Sequence, residues 1–133
     1  MRNKWRGHIQ GKLIGRLVVP VDDVIEWALW YESAHQECIV GKTEIGPLTV
    51  STVFLGLDNG WGGKSLWFET MIFGARDHMV ELAPGRKRLF RTTLDYQRRY
   101  ETWGEAEIGH REACAWAQDY LDKIDAKLTV KHE

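Results

Sequence analysis

The alternation of apolar and polar residues is clearest between Val50 and Gly74, where two apolar runs flank a glycine-rich segment. The first run, residues 48–57, is rich in the branched side chains that strands favour. The second run, residues 65–73, is apolar on both of its alternating faces, which predicts a central strand covered on both sides. Residues 58–64 have the composition of a turn. The pattern therefore predicts a hairpin at the centre of an antiparallel β-meander of about four to six strands.

Further strands are expected before and after this hairpin. They are predicted at residues 13–19, at 38–44, in a second hairpin formed by 78–82 and 87–92, and at 94–100. The first of them ends at Pro20, and Pro84-Gly85 would form the turn of the second hairpin. Basic residues in the last strand would discourage unwanted pairing at a sheet edge.

Two helices are predicted, over about residues 22–34 and about residues 102–128. Asp22 and Asp23 place acidic groups where the first helix begins, which favours its dipole. Apolar and aromatic side chains surround this helix nearly completely, which predicts burial on more than one side. The second helix begins at a capping box formed by Thr102 and Glu105. The fold class is therefore predicted as α+β, with the meander packed against two helices.

Composition adds bounds on size and partners. The 133 residues fit a single domain, 1–133, in which residues 1–11 form a loose N-terminal arm. A net charge of −1 argues against duplex DNA as a partner. No apolar run reaches the roughly 18 residues of a membrane span, so we expect no membrane partner and a cytoplasmic location. Seven tryptophans exceed what one core needs, which favours a ligand, a partner or a homo-oligomer.

Two features of the predicted central hairpin are candidates for binding, and each also has a structural interpretation. Glu69 is a carboxylate in an apolar strand, so it either lines a ligand cavity, or faces solvent or pairs with an arginine. The Gly60–Lys64 loop lacks the helix N-terminus of known phosphate-binding loops. Trp61 and Lys64 could nevertheless stack on a base and touch a phosphate, and the alternative is a simple flexible loop.

A third candidate is the pair Glu107 and His110, which a spacing of three places on one face of the second helix. Glu-x-x-His is a ligand spacing of di-iron bundles, where it occurs twice, whereas here it occurs once. The alternative is a solvated or structural pair. Cys38 and Cys114 show no zinc-finger or redox spacing. We therefore predict no metal and no cofactor, and the lack of a catalytic motif favours a protein without enzymatic activity.

Four segments form an ordered set of motifs: EWA at 26–28, TVSTVFLGLD at 49–58, FETMIFG at 68–74 and YETWGEAEIGH at 100–110. This set resembles a widespread family of small proteins of tailed bacteriophages and prophages, most of which have no assigned function. Family members pass quickly from the third motif to the fourth, so residues 75–94 are interpreted as an inserted hairpin. The resemblance brings no catalytic residues. It implies a phage origin, the host cytoplasm as location and a role against host defence.

The leading hypothesis is a phage accessory protein that sequesters a nucleotide or cyclic-nucleotide signal without chemistry. Aromatic rings would stack on the base and basic side chains would hold the phosphate. The residues predicted to bind this small anionic ligand are Trp27, Trp30, Trp61, Lys64, Glu69, Arg98 and His110. The alternative is an inhibitor that blocks a host defence protein, of the anti-CRISPR or anti-restriction type. The third possibility is a metal-dependent hydrolase that uses Glu69, Glu107 and His110.

Overall fold

The computed structural model describes the backbone of residues 9–132, and within that range all side chains except those of 75–80, 82, 88–93 and 128–132. Six strands and two helices follow one another in this part of the chain. In chain order they are β1 (Gly11–Ile14), β2 (Leu17–Pro20), α1 (Val24–Ser33), β3 (Ile39–Ile45), β4 (Leu48–Phe54), β5 (Phe68–Ala83), β6 (Arg86–Tyr100) and α2 (Trp103–His132). The predicted α+β class is confirmed.

The larger sheet is an antiparallel meander with the strand order β3-β4-β5-β6, and β1 and β2 form a separate two-stranded sheet. The predicted central position of β5 is confirmed, because β4 and β6 pair with it on either side. Its face towards α2 is fully buried at Phe68, Thr70 and Ile72. On its other face, Glu69 and Met71 are partly exposed, so the predicted cover on both sides is incomplete.

The single strand predicted at residues 13–19 is wrong. The chain instead reverses at Gly15 and Arg16, and β1 pairs antiparallel with β2. Gly15 has a φ of 62°, a left-handed conformation that glycine adopts without steric cost. A tight turn therefore divides a branched segment that the hydrophobic pattern alone presented as continuous.

Two further predicted segments are the N-terminal arm, residues 1–11, and the inserted hairpin, residues 75–94. The predicted arm is described from residue 9 onward: Gln10 bridges Leu57 and Gly11 begins β1, so the arm ends in paired backbone, and residues 1–8 lie outside the described part. Residues 75–94 extend β5 and β6 into one long hairpin whose turn contains Gly85 at a φ of 78°.

Helix α1 is capped at its start but poorly buried. The side chain of Asp23 accepts hydrogen bonds from the backbone amides of Ile25 and Glu26, at 2.9 and 3.2 Å. None of its ten residues is buried. The predicted burial on more than one side is therefore wrong, because α1 contacts the rest of the molecule on one side, through Trp27, Trp30 and Tyr31.

Helix α2 lies across all four strands of the larger sheet. The Thr102 hydroxyl accepts a hydrogen bond from the Glu105 amide, at 3.2 Å, which confirms half of the predicted capping box. The Glu105 carboxylate reaches the amide of Glu101 rather than that of Thr102, at 3.3 Å. Gly109 lets the helix approach closely, because a Cβ there would lie 2.2 Å from the Tyr100 ring.

The core under α2 consists of two apolar clusters. The first is near the start of α2 and contains Leu13, Ala34, Cys38, Phe54, Trp67, Phe68 and Ala106. The second lies further along the helix and contains Leu48, Val50, Ile72, Tyr96, Ala113 and Ala117. Burial raises the pKa of the Cys38 thiol to about 11, which keeps this group protonated and unreactive at neutral pH.

Candidate functional site

The seven residues predicted to bind a ligand do not converge on one site. Trp27 and Trp30 both belong to α1, and each is half-buried against the body of the protein. The indole Nε1 of Trp27 donates to the carbonyl oxygen of Gly11 at 2.9 Å. Trp30 meets the Phe54 ring edge to face, with ring centroids 6.1 Å apart. These two rings join α1 to β1 and β4.

Trp61 and Lys64 lie on the small loop between β4 and β5. Their backbones pair as an isolated bridge, and Gly62 and Gly63 between them have φ values of 68° and 87°. Two consecutive positive φ values define the type I′ turn of a two-residue hairpin. Both side chains are exposed, and that of Trp61 is 92% exposed. Of the seven predicted residues, Trp61, Lys64 and Arg98 are exposed, whereas the other four are partly buried.

Glu69 is engaged by its neighbours on β6. Its carboxylate accepts a hydrogen bond from Gln97 Nε2 at 2.7 Å and one from Arg99 Nε at 3.0 Å. The side chain of Glu69 is 12% exposed, and that of Arg99 is 36% exposed. Of the two interpretations of Glu69, pairing with an arginine is therefore the one observed.

Arg98 lies on the other side of the sheet from Arg99, because successive residues of a strand face opposite ways. Its guanidinium carbon sits 4.6 Å from the centroid of the Tyr96 ring, which belongs to the second apolar cluster. This cation–π contact holds Arg98 at the edge of the interface between β6 and α2. Glu69 and Arg98 therefore cannot serve one small ligand together.

His110 lies between α2 and the sheet, where both ring nitrogens are hydrogen-bonded. Nε2 is 2.8 Å from the hydroxyl of Thr43 and Nδ1 is 2.7 Å from that of Thr52. Thr52 also hydrogen-bonds to Thr70 on β5, so the four side chains form a polar layer between the two apolar clusters. Burial lowers the pKa of His110, so the ring is neutral at pH 7 and its partners satisfy both nitrogens. We define the polar layer as Thr43, Thr52, Thr70 and His110.

The groups proposed for a hydrolase are also separated. Glu69 and His110 lie on opposite faces of the sheet, because Thr70, the neighbour of Glu69, is the residue that faces α2. The Glu107 carboxylate is 3.6 Å from the guanidinium of Arg16. Within the described residues, no group of three or more His, Cys, Asp or Glu side chains is placed to hold one metal ion.

A pocket that the sequence did not predict opens on the second sheet face, which is the face directed away from α2. Its volume is about 340 Å³, and its lining residues are His35, Ile39, Lys42, Thr49, Ser51, Val53 and Phe73. The strand register explains this set. Lys42 pairs with Ser51 and Ile39 with Val53, while Thr49 pairs with Phe73, so cross-strand partners share the same face.

Besides the aliphatic side chains of Ile39 and Val53, the pocket lining contains three kinds of groups. Lys42 and His35 are exposed and supply cationic or hydrogen-bonding nitrogens at its rim. Ser51 supplies a hydroxyl, and Thr49 supplies one that donates to the carboxylate of Glu44 at 2.8 Å. Phe73 supplies an aromatic ring in the wall. Such a set can hold a negative group at the rim and a flat ring against Phe73.

The sequence contained a weak signal for this pocket. Residues 49, 51 and 53 recur at a spacing of two within a predicted strand, so they are expected to face the same side of β4. The sequence did not specify which strands pair with β4 or in which register. These two properties bring Lys42 and Phe73 to the same face of the sheet. Glu69 pairs with Val53 on the same face, next to the pocket but not in its lining.

Comparisons with known proteins add no relationship to this geometry. No family model matches the chain, and no curated protein or solved structure matches it either. Among the described residues, no helix is both long and apolar enough to cross a membrane. The site must therefore be interpreted from its own residues.

Proposed function

We propose that this chain is a binding protein that holds a small anionic ligand with a flat ring, of the nucleotide class, without converting it. The observation that supports this function is the pocket on the second sheet face, with Lys42 at its rim and Phe73 in its wall. Its volume of about 340 Å³ lies in the range of small-molecule sites. The lining groups attract and orient a ligand, which is what sequestration requires.

Each part of such a ligand has a matching group. An ammonium such as that of Lys42 binds a phosphate as a point charge. A base stacked on an aromatic ring, here Phe73, contributes about 1–3 kcal/mol. The Glu44 carboxylate lies on the same face and is held by Thr49, so it weakens the attraction for an anion. We therefore expect moderate affinity and a clear dependence on salt.

The resemblance to tailed-phage proteins gives this binding a purpose. A cytoplasmic phage protein that sequesters a nucleotide or cyclic nucleotide would remove a signal of host defence. In this proposal the ligand contacts Lys42 and Phe73 rather than the seven residues selected from the sequence, of which Trp27, Trp30, Arg98 and His110 have structural contacts instead.

Calorimetry and thermal shift with a panel of linear and cyclic nucleotides test the proposal. A ligand at 100 times its Kd is expected to stabilise the protein by about 2.7 kcal/mol. Lys42→Ala should weaken binding at least about tenfold, equivalent to about 1.4 kcal/mol. Lys64→Ala is the matched control, because this exposed lysine lies outside the pocket lining.

Two results would contradict the proposal. The first is that no nucleotide at saturating concentration stabilises the protein. The second is that Lys64→Ala weakens binding as much as Lys42→Ala, because the attraction would then come from general surface charge. Glu44→Gln provides a further check, since removal of a negative charge from this face should strengthen the binding of an anion.

A second candidate function, inhibition of a host defence protein by direct contact, is favoured by the exposed side of α1. Val24, Ile25 and Leu29 are 58%, 66% and 65% exposed and lie close together along this helix. Contiguous exposed apolar surface marks sites of protein contact. A pull-down in which Leu29→Glu loses a host protein that the unmodified chain retains would support this function. Retention of the same protein by the variant would oppose it.

A further inference from the structure

Trp61 is the most exposed large apolar side chain described, at 92% exposure. Its position is nevertheless fixed by the loop that carries it. The Asp58 carboxylate accepts hydrogen bonds from the amides of Gly60 and Leu66, at 2.7 and 2.9 Å. A Cβ at Gly60 would lie 1.7 Å from the carbonyl oxygen of Lys64, so this position accepts only glycine. The loop therefore holds Trp61 in a defined position, with its ring exposed. We call residues 60–64 the Trp61 loop.

A second pocket lies next to this loop, between the β1–β2 hairpin and the start of α2. Its volume is about 230 Å³, and most of its wall is formed by Leu17, Val18, Pro20, Trp67 and Trp103. We call it the hairpin pocket. It is smaller than most small-molecule sites, which have about 300–1,000 Å³, and its wall is mainly apolar. Its size and chemistry suit one large side chain of a protein.

The Trp61 loop is directly followed in the sequence by a residue that lines the hairpin pocket. Ser65, which lines the pocket, directly follows Lys64 of the Trp61 loop. In a dimer with a two-fold axis, each subunit uses the same patch, so that patch must contain both the inserted group and its receptor. Adjacent placement of the two meets this requirement.

Charge at the two features is also complementary. Lys64 is exposed beside Trp61, and the exposed Glu101 lines the hairpin pocket. An inserted Trp61 would bring its neighbour Lys64 towards Glu101 of the receiving chain. Arg16, the other charged residue of the lining, is already 3.6 Å from the Glu107 carboxylate and 5.3 Å from the centroid of the Trp103 ring.

We infer that two copies of this chain form a two-fold dimer in which the Trp61 ring of each copy occupies the hairpin pocket of the other. A central tryptophan buried in a pocket is the usual energetic anchor of an interface. The proposed dimer and the proposed nucleotide binding can be tested independently, because no residue of the hairpin pocket lines the pocket on the second sheet face.

Sedimentation velocity over a range of protein concentrations tests the dimer without any ligand. The unmodified chain should dimerise, and Trp61→Ala should raise the dimer Kd at least about 30-fold, as expected for an anchor residue. The thermal unfolding of this variant, extrapolated to low concentration, should match that of the unmodified chain, because the side chain is exposed in the monomer.

Charge reversal tests the orientation of the two copies. Lys64→Glu and Glu101→Lys should each weaken the dimer, and a chain carrying both changes should recover most of the affinity, because the pair then meets with its signs exchanged. Lys127→Glu is the control at an exposed lysine near the far end of α2. Equal weakening by the control, or no recovery in the double variant, would overturn the assigned contact.

Two further outcomes would overturn the dimer itself. One is an unmodified chain that stays monomeric at about 0.1 mM, which corresponds to a free energy weaker than about −5.5 kcal/mol. In that case the hairpin pocket would be expected to bind a side chain of a different protein. The other is a dimer that Trp61→Ala leaves intact, since its interface must then lie elsewhere on the chain.

Discussion

Helix α1 is largely apolar and aromatic but has no buried residue, whereas α2 is largely polar but buries several residues completely. Val24, Ile25 and Leu29 of α1 are all more than half exposed. In the described part of α2, the residues Ala106, Ala113 and Ala117 are completely buried. The apolar content of a helix therefore did not decide its burial in this protein.

The difference follows from how closely each helix can approach the sheet. Small residues on one side of α2, such as Ala113 and Gly109, allow its backbone to lie near the strands, and the strands supply the large side chains. Helix α1 instead attaches through the large rings of Trp27, Trp30 and Tyr31, and none of its residues is buried. Its remaining apolar side chains stay at the surface, where a partner can contact them.

The largest effect is expected from adding a methyl group at the closest approach of α2. Gly109→Ala should lower the free energy of unfolding by about 3 kcal/mol, because its Cβ would lie 2.2 Å from the Tyr100 ring. Gly104→Ala is the matched control on the same helix, since nothing lies within 4 Å of its Cβ. Chemical denaturation measures both, and similar values for the two variants would show that α2 is not closely packed.

Loss of the polar layer should have the next largest effect. His110→Ala leaves the hydroxyls of Thr43 and Thr52 without their ring partner, which should cost about 2 kcal/mol. His35→Ala removes an exposed histidine and should change the stability by less than about 0.5 kcal/mol. An equal effect of the two changes, measured by denaturation at pH 8, would mean that the polar layer contributes nothing.

The same pair of variants gives a pH dependence with a defined sign. Burial lowers the pKa of His110 in the folded state, so the unfolded chain binds a proton at higher pH than the folded chain. The contribution of neutral His110 is complete above about pH 6.5 and is lost as the pH falls towards the lowered value. The stability of the unmodified chain should therefore fall more steeply than that of His110→Ala below pH 6.5. Parallel curves would contradict this expectation.

A smaller effect is expected where α1 is attached. Trp27→Phe keeps an aromatic ring but removes the hydrogen bond to the Gly11 carbonyl, and should cost about 1 kcal/mol. Trp61→Phe, in an exposed position, should leave the stability of the monomer unchanged. Thermal unfolding of both variants at low protein concentration measures the difference in stability. If Trp27→Phe loses no more stability than Trp61→Phe, the hydrogen bond from Trp27 does not hold α1.

The smallest effect is expected on the exposed side of α1. Leu29→Glu should change the free energy of unfolding by less than about 0.5 kcal/mol, because the side chain is 65% exposed. Ala113→Glu places the same carboxylate at a fully buried position of α2 and should prevent stable folding. Strong destabilisation by Leu29→Glu would mean that α1 is covered in solution.

Local chemistry made several elements readable from the sequence. The turn at Gly60–Lys64 and the capping pair Thr102 and Glu105 lie where the pattern placed them, because both depend on residues within a few positions of each other. The β-meander and the central position of β5 followed from alternating apolar runs that adjoin along the chain. The division at Gly15 was missed because a glycine within a branched segment permits a turn without requiring one.

The candidate site was the least predictable part. The pocket on the second sheet face is lined by Lys42, Ser51 and Phe73, which belong to three different strands. Only the strand register places these residues together. Similarly, the sequence singled out Glu69 and His110 as chemically unusual, but their partners Arg99 and Thr43 lie 30 and 67 positions away along the chain. No local pattern specifies such partners.

By itself, the sequence determined the type and approximate bounds of most helices and strands, because these depend on local periodicity, turns and caps. Only the tertiary structure decided which helix covers the sheet, which side chains share the polar layer, and where the two pockets open. Those features depend on how closely distant segments can approach, and small residues such as Gly109 control this distance. The exposed side of α1 shows that apolar side chains reach the core only where close approach is possible.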